Sequence, residues 1–193
     1  MKEIPLTRGR VAIVDDDDFV VLSAYRWTYA TRGYAIRTAL PGDNHAWGTS
    51  SAIMHRQIVN APRGMDVDHV NGDRLDNRRA NLRICTRSEN LRNVGRRPTN
   101  TSGLKGAAWD RYTSSWKASI RAFGRHIHLG RFKTAEEAAG MYDAAALIFH
   151  GDFARPNCAG LLASMKADRP DLYAKVMDAA KRVAAKCAAL EAA

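Results

Sequence analysis

The chain has 193 residues, enough for one or two domains that each bury a hydrophobic core. Thirty Lys and Arg side chains against 20 Asp and Glu give a formal net charge of +10, which favours a polyanionic partner such as nucleic acid over a protein that is merely basic. The three cysteines are far apart, so a disulfide framework and a cysteine zinc site are disfavoured. No stretch of about 18 apolar residues occurs, so secretion and a membrane span are disfavoured and a cytoplasmic location is expected.

Residues 1–54 are predicted to form a mixed α/β element. The alternating run RGRVAIVD indicates a strand, and the four acids at 15–18 are placed to begin a short helix, FVVLSAYRW, rather than to bind a metal. RGYAIRTAL indicates a second strand that ends at the Pro41-Gly42 turn. SSAIMHRQIV is predicted to form a short apolar helix.

The stretch VDHVNGDRLDNRRANLRICTRSEN, residues 67–90, combines an acid–histidine pair with asparagines in a basic segment. MDVDHV predicts a strand that runs into an Asn71-Gly72 turn, and LRICT predicts a second strand. Thr86 and Glu89 have the spacing of a capping box, so a helix is predicted to begin near Ser88. This order brings the acid–histidine pair close to the helix if the hairpin folds back on it.

Phosphodiester cleavage needs an activated water and a cation that neutralises charge on the phosphate. His69 titrates near neutrality and suits a general base. Asp68 and the amide oxygen of Asn90 are hard oxygen ligands suited to Mg²⁺ or Mn²⁺. Asn81 is suited to bridging the loop backbone and holding the His69 strand in place.

At these residues the segment resembles the HNH homing endonuclease family of phages and mobile elements, which has a ββα-metal (His-Me finger) fold. The matching pattern is Asp-His, an Asn twelve residues after the histidine, and a further Asn nine residues later. The resemblance implies that His69 is the base, that Asp68 and Asn90 bind the metal, and that Asn81 orients the site. The zinc-binding cysteines of some relatives are missing, so packing alone must hold the hairpin.

MHRQIV resembles the helix that precedes the motif in the phage homing branch of this family, which makes His55 and Arg56 secondary candidates. A surface helix that happens to carry a histidine remains the alternative for His55.

After a basic linker at 95–102, KGAAWDRYT, SWKASIRAF and RHIHLGRF predict three short strands. The following helix, TAEEAAGMYDAAALIFHG, has Thr134 and Glu137 at capping-box spacing. Its predicted sheet-facing residues are Ala138, Tyr142, Ala145 and Phe149. Residues 158–193 are predicted to be a helical extension in which Pro170 occupies a first turn. The apolar stripe expected to dock on the core, rather than form a dimer seam, is Leu172, Val176, Ala179, Val183 and Leu190.

The unit at 103–157 resembles the AP2 DNA-binding domain in GAAWDRYTSSWKASI, HLGRF, TAEEAAGMYDAAA and GDFARPN. Strand alternation predicts that Trp116, Ala118, Ile120, Ile127 and Leu129 face the helix, and that the open face carries Lys117, Ser119, Arg121, His126 and His128.

The AP2 resemblance implies that this open face enters the major groove, with Arg121 at a guanine edge. The expected phosphate contacts are Lys105, Arg111, Lys117 and Arg125. Further DNA-binding candidates in the central basic segment are Arg78, Arg79, Arg83, Arg96 and Arg97. The plant regulators carry a tryptophan near the position of His128, which this chain lacks, so their preferred DNA sequence does not carry over. Trp109 and Tyr112 fit either DNA contact or core packing.

The expected fold class is α+β: a ββα-metal nuclease module, then an AP2-type three-stranded antiparallel sheet packed on one helix, then a C-terminal helical extension. The expected segments are 1–54, 55–94, 95–102, 103–157 and 158–193. The expected function is a metal-dependent endonuclease that acts on double-stranded DNA as a monomer, with Mg²⁺ or Mn²⁺ as cofactor. The alternative is a non-catalytic, sequence-specific DNA-binding regulator. RNA binding ranks lower, because no exposed run of stacking aromatics is predicted on a sheet.

Overall fold

The structure is a computed structural model that describes residues 1–41, 43, 46–47, 50–96, 98–122, 124–157, 159–168 and 170–191. The chain divides into two compact units, Met1–Asn93 (unit 1) and Val94–Ala193 (unit 2). The predicted boundary between 54 and 55 therefore falls inside unit 1, and the predicted linker at 95–102 belongs to unit 2. Among the predicted features, Gly42, Arg97 and Cys158 lie outside the described residues.

Unit 1 consists of short antiparallel strands and short helices. In chain order these are β1 (Lys2–Pro5), β2 (Val11–Val14), α1 (Asp16–Leu22), β3 (Thr28–Tyr29), β4 (Ala35–Thr38), β5 (Ala46–Trp47), β6 (Ser51–Ile53), α2 (Met54–Ile58), β7 (Asp66–His69), β8 (Leu82–Cys85) and α3 (Arg87–Arg92). β1 pairs with β2, β7 pairs with β8, and the remaining strands form a sheet in the order β3-β4-β6-β5.

Two predicted helices of unit 1 are shorter than expected. α1 begins in the acidic run but ends at Leu22, because the chain turns back and the Trp27 indole donates to the Leu22 carbonyl at 2.8 Å. The run SSAIMHRQIV starts as a strand, since Ile53 pairs with Ile36 of β4 and continues the sheet. Only Met54–Ile58 is helical. The prediction of one continuous helix over this run is therefore wrong.

A single hydrophobic core joins the N-terminal strands of unit 1 to the β7–β8 hairpin. Its buried members are Ile4, Leu6, Ala12, Val14, Leu22, Trp27, Ala35, Met54, Ile58, Ala61, Val67 and Leu82. The last two belong to β7 and β8, so burial of their apolar surface fixes the hairpin against the N-terminal part of the chain. Residues 1–54 and 55–93 thus share one core.

Unit 2 is an antiparallel sheet packed on a helix, followed by further helices. Its elements are β9 (Ala107–Asp110), β10 (Ser115–Ala122), β11 (Arg125–Phe132), α4 (Ala135–His150), α5 (Ala159–Asp168) and α6 (Pro170–Glu191). The strand order is β11-β10-β9, with β10 in the centre. α4 and the inward residues of the sheet belong to one core, to which α6 contributes Val176 and Ala180.

Burial in the sheet follows the predicted alternation. Ala118 and Ile120 of β10 are buried against α4, whereas Arg121 is exposed. In β11, Leu129 is buried and His128 is exposed, and the register shifts by one residue opposite the Ala118–Ser119 step. Such a bulge adds a residue to one strand and increases the local twist.

Both helices that were predicted to begin with a capping box have the predicted threonine cap. Thr86 and Glu89 exchange both bonds at the start of α3. At α4 the Thr134 hydroxyl accepts from the Glu137 amide at 3.2 Å, but the Glu137 carboxylate accepts from the amide of Lys133, the residue before the cap. The cap predicted at Thr134 therefore forms.

The C-terminal region is helical as predicted, and Pro170 is the first residue of α6. Of the predicted stripe, Val176 is buried and Ala179 is partly buried against the core of unit 2. The side chains of Leu172, Val183 and Leu190 lie outside what the structure describes. Within the described residues, no helix combines the length and the apolar character that crossing a membrane requires.

Candidate active site

The β7–β8 hairpin places the acid–histidine pair at the end of a fully buried strand. In its antiparallel register Asp68 faces Arg83 and His69 faces Leu82. Both members of the pair are buried, with 6% and 4% of their surface exposed. Burial of two ionisable side chains requires partners for each of them.

The imidazole of His69 is held by one hydrogen bond and two aromatic neighbours. Its Nε2 lies 3.3 Å from Oδ1 of Asn77. The ring centroid lies 5.0 Å from that of His55, in an edge-on arrangement at 86°, and 6.1 Å from that of Tyr34. Burial lowers the pKa of His69, an effect partly opposed by the Asn77 bond and by the negative charge of Asp68. The ring is therefore kept in the neutral form that a general base needs.

The carboxylate of Asp68 is fixed from two sides. Arg83 donates to Oδ2 through Nε at 2.8 Å and through Nη2 at 2.6 Å. Asn93 donates through Nδ2 to Oδ1 at 2.9 Å and to Oδ2 at 3.0 Å. The same amide nitrogen donates to the backbone carbonyl of His69 at 3.0 Å. Asn93 therefore ties the end of α3 to both members of the acid–histidine pair.

Asn90, the metal ligand expected from the spacing, contacts a different carboxylate. Its Nδ2 donates to Oδ2 of Asp66 at 2.8 Å. α3 packs on β7, and Asp66 and Asp68 are two strand positions apart, about 6.6 Å. The helical residue that reaches Asp68 must lie further along α3, and a step of three residues advances the helix by about 4.5 Å. The structure thus brings Asn93 rather than Asn90 to the acid–histidine pair.

Asn81 bridges the loop between the two strands of the hairpin. Its Oδ1 accepts from the Asn71 amide at 3.0 Å, and its Nδ2 donates to the Asp76 carbonyl at 2.8 Å. These bonds close the loop next to His69, which is the orienting arrangement expected of this residue.

The two secondary candidates are both buried. His55 is 4% exposed and packs edge-on against the His69 ring, so the surface-helix alternative is wrong. Arg56 is 5% exposed, and its guanidinium donates to the carbonyls of Ala61, Pro62 and Met65. Arg56 therefore holds the segment that leads into β7, which is a structural role.

Much of the basic charge around the hairpin is neutralised within unit 1. Three of the arginines predicted to bind DNA form ion pairs with carboxylates: Arg78 with Asp76, Arg79 with Asp18 and Arg83 with Asp68. Arg79 thereby engages the acidic run that begins α1, where Asp15 also accepts from its backbone amide at 2.8 Å. These arginines have a structural contact that competes with phosphate binding. Arg96, in contrast, is exposed.

The open face of the unit 2 sheet carries exposed basic and polar side chains. Arg121 lies opposite His126 and Ser119 lies opposite His128 in the β10–β11 register. The predicted candidates that are exposed are Arg111, Arg121, Arg125, His126 and His128, and those that are half-buried are Lys117 and Ser119. Tyr112 is fully exposed, whereas Trp109 is half-exposed and packs against Trp116 at 5.5 Å.

Lys105 is an exception among the predicted phosphate contacts. Its ammonium donates to the carbonyls of Val94 at 2.8 Å and Arg155 at 3.0 Å. Burial lowers the pKa of Lys105 to about 8. These two bonds give Lys105 a structural role inside unit 2 that competes with phosphate binding.

The oxygen donors at Asp68 have the chemistry that a hard divalent ion requires. Asp68 offers a hard carboxylate oxygen that already attracts a guanidinium, and Asn93 offers a carboxamide beside it. Among the described residues, no group of three or more His, Cys, Asp or Glu side chains is placed to hold a metal. Mg²⁺ is commonly held by one or two protein carboxylates together with substrate phosphates and waters, so one carboxylate and one carboxamide fit that ion.

Several contacts of this site were not expected from the sequence. Asn77 and Asn93 bond to His69 and Asp68, and the Tyr34 ring lies beside the histidine. The run of asparagines after His69 was the available signal, but spacing alone does not show which carboxamide reaches which partner. Tyr34 comes from a distant part of the chain and carries no local signal.

Comparison with known proteins agrees with this geometry. A family model described as HNH endonuclease matches residues 60–92, which contain β7, β8 and α3. The chain is 33% identical to "Protein 3.8" of Escherichia phage T7 over 94 residues, 49% of this chain and 77% of that protein. It is 27% identical to "Uncharacterized HNH endonuclease L560" of Acanthamoeba polyphaga mimivirus over 156 residues, 78% of this chain and 76% of that protein.

The mimivirus match is longer than unit 1 and therefore extends into unit 2. No solved structure matches the chain. The family match falls on the hairpin and helix that hold the acid–histidine pair, and the phage relative is covered over most of its length. The chain therefore contains an HNH endonuclease family domain at residues 60–92 and has a viral HNH endonuclease among its relatives.

Proposed function

We propose that the protein is a divalent-metal-dependent endonuclease that hydrolyses phosphodiester bonds of double-stranded DNA. The observation that supports this best is the buried Asp68–His69 pair, in which Arg83 and Asn93 hold the carboxylate and Asn77 contacts the imidazole. The HNH endonuclease match at residues 60–92 and the name of the mimivirus relative agree with a nuclease.

In this proposal His69 is the general base. It takes a proton from a water molecule, whose oxygen then forms a bond to phosphorus while the bond to the leaving sugar oxygen breaks, and that oxygen takes a proton from solvent water. Asp68 and the carboxamide of Asn93 would hold the ion, which supplies neutralisation of the charge that develops on the phosphate and the leaving oxygen.

Asn93 replaces Asn90 in this ligand assignment for a physical reason. The two ends of a carboxamide have nearly the same shape, one a donor and the other an acceptor. The Nδ2 of Asn93 lies at the Asp68 carboxylate, whereas the Asn90 carboxamide lies at Asp66. Rotation of the Asn93 amide would present an oxygen next to Asp68, an arrangement favoured only when a cation lies there.

We further propose that the open face of the unit 2 sheet supplies DNA affinity and target choice, as the AP2 resemblance implies. Arg121 is exposed on the central strand beside His126, and Lys117 faces Arg131 across the same strand pair. Arg131 itself pairs with Asp110 at 3.1 Å, whereas the exposed Arg121 guanidinium is the side chain proposed to read a guanine edge. A homing role in a virus or mobile element belongs to the same proposal and is supported by the viral origin of the relatives.

The test is cleavage of supercoiled plasmid that carries the cognate site, with Mg²⁺ or Mn²⁺ and with EDTA. We expect nicked or linear product that EDTA abolishes. We expect the His69→Ala variant to lose DNA cleavage but still to bind DNA in a gel-shift assay. Equal loss of DNA cleavage and DNA binding would identify His69 as a structural residue.

A second candidate is a DNA-binding regulator that has lost cleavage. The observation in its favour is the network around Asp68, where two neighbouring side chains already donate to the carboxylate. A wild-type protein that binds the cognate DNA and leaves it intact with every divalent ion tested would favour the regulator.

A further inference from the structure

The contact between His69 and Asn77 assigns a role to a residue outside the predicted set. Asn77 lies in the loop between β7 and β8, is 1% exposed, and has its Oδ1 3.3 Å from Nε2 of His69. A buried carboxamide is held there only if its polar atoms find partners.

The orientation of the Asn77 amide is assigned by its other bonds. Its Nδ2 donates to the Leu75 carbonyl at 3.1 Å. Backbone bonds hold the loop itself in place: the backbone N–H of Asn77 donates to the Ile13 carbonyl at 2.8 Å, and the backbone N–H of Ile13 donates to the Leu75 carbonyl at 2.8 Å. A carbonyl can only accept, so the nitrogen end of the amide faces Leu75 and the oxygen end faces His69.

This orientation determines where His69 carries its proton. An amide oxygen can only accept, so the Nε2 that faces it must be the protonated nitrogen. A neutral imidazole carries one ring proton, which leaves the lone pair on Nδ1. We propose that Asn77 is a positioning residue that holds His69 as the Nε2–H tautomer, so that Nδ1 is the atom that accepts the proton of the attacking water. The proposal rests on the proposed endonuclease function.

The surroundings of the ring favour one orientation. His55 and Tyr34 lie beside the His69 ring, with centroids at 5.0 and 6.1 Å. A half-turn of the ring would exchange the two nitrogens for carbons and break the bond to Asn77. Asn81, in contrast, bonds to Asn71 and to the Asp76 carbonyl and acts on the loop rather than on the ring.

The first test reads the tautomer in the full-length wild-type protein and needs no cleavage. Nitrogen-15 NMR of histidine-labelled protein, at a pH where the ring is neutral, distinguishes a protonated ring nitrogen from one with a free lone pair. We expect the His69 signals to report a proton on Nε2 and a lone pair on Nδ1. A proton on Nδ1 would overturn the proposal.

The second test uses two variants of nearly the same size. Asn77→Leu removes the acceptor and should give mixed tautomers, with kcat lowered roughly 100-fold and KM unchanged. Asn77→Asp retains an acceptor at the same place and should keep the Nε2–H signals and recover most of kcat. Thermal unfolding and DNA retention establish that each variant is folded.

The outcomes separate the two proposals. Unchanged kcat and unchanged tautomer in Asn77→Leu would overturn the positioning role. A wild-type protein that cuts no DNA, yet has its proton on Nε2, would overturn the endonuclease function alone and support the tautomer assignment. If Asn77→Leu does not fold, the wild-type NMR spectrum together with the Asn77→Asp variant decides whether Asn77 positions His69.

Discussion

The side-chain amide of Asn93 donates to both carboxylate oxygens of Asp68, at 2.9 and 3.0 Å, and to the carbonyl of His69. One residue at the end of α3 thereby fixes both the carboxylate and the strand that carries the histidine. This relationship makes Asn93, rather than Asn90, the asparagine that we propose for the metal site.

Asn93→Ala and Asn90→Ala form a matched pair for the metal site. We expect Asn93→Ala to lower Mn²⁺ affinity and cleavage about 10–100-fold, since it removes the contact that holds Asp68. Asn90→Ala should leave Mn²⁺ affinity near the wild-type value, because its side chain bonds to Asp66. Calorimetric titration with Mn²⁺ and plasmid nicking would measure both, and a larger loss in Asn90→Ala would restore the assignment that the sequence spacing suggests.

The buried His55 predicts a pH dependence of the stability of unit 1. Burial lowers the pKa of His55 from 6.5 to about 3, so below pH 6.5 the unfolded chain binds a proton that the folded chain excludes. The free energy of unfolding of unit 1 should therefore decrease as the pH is lowered below 6.5, by up to about 1.4 kcal/mol per pH unit. The lowered pKa of His69 acts in the same direction. Between pH 6.5 and about 5.5 carboxylates stay ionised in both states, so histidines dominate this window.

His55→Phe retains a flat ring and removes the titrating group, so its stability should depend less on pH. Hydrogen-exchange protection of the unit 1 amides at about pH 7.5 and about pH 5.0 measures how much the pH dependence differs between wild type and His55→Phe. Equal pH dependence in wild type and variant would show that His55 is not the group responsible.

The open face of the unit 2 sheet predicts different effects for two basic residues. Arg121→Ala should weaken binding to cognate DNA by about 1–3 kcal/mol and relax its sequence preference, because the exposed guanidinium fits a guanine edge. Lys105→Met should instead lower the melting temperature of unit 2, since its ammonium bonds to two backbone carbonyls. Gel shifts over a range of salt concentrations, together with thermal melts, separate the two. An unaltered sequence preference in Arg121→Ala would place readout elsewhere.

Gly106 predicts a large effect on stability. Its φ is +76°, and a Cβ at this position would lie 2.1 Å from the Tyr142 ring, which is itself part of the core. Gly106→Ala should therefore destabilise unit 2 by about 3 kcal/mol or more, combining backbone strain with overpacking.

Gly124→Ala is the matched control for Gly106→Ala. Its φ is +67°, but no atom lies within 4 Å of the added Cβ, so only the strain of about 1–2 kcal/mol should remain. Chemical denaturation measures both variants. Equal losses would mean that Tyr142 moves aside without cost.

The sequence predicted the hairpin, the capping box of α3 and the alternation of the unit 2 sheet, because each depends on neighbours within a few residues. It also placed Asp68 and His69 together, since they are adjacent in the chain. It did not predict that Asn93 reaches Asp68, because this depends on how α3 lies along β7. The pairing of Arg79 with Asp18 was also missed, because the two residues are 61 positions apart.

The backbone bonds between β2 and the loop that carries Asn77 have a practical consequence for dissecting the protein. The family match begins at residue 60, yet the Ile13 carbonyl accepts from the Asn77 amide and the Ile13 amide donates to the Leu75 carbonyl. A polypeptide excised at the start of that match would lose these bonds along with Ile4, Val14 and Leu22 from its interior. We therefore expect that the matched segment does not fold on its own, and that any transplant into another scaffold must include the first strands of the chain.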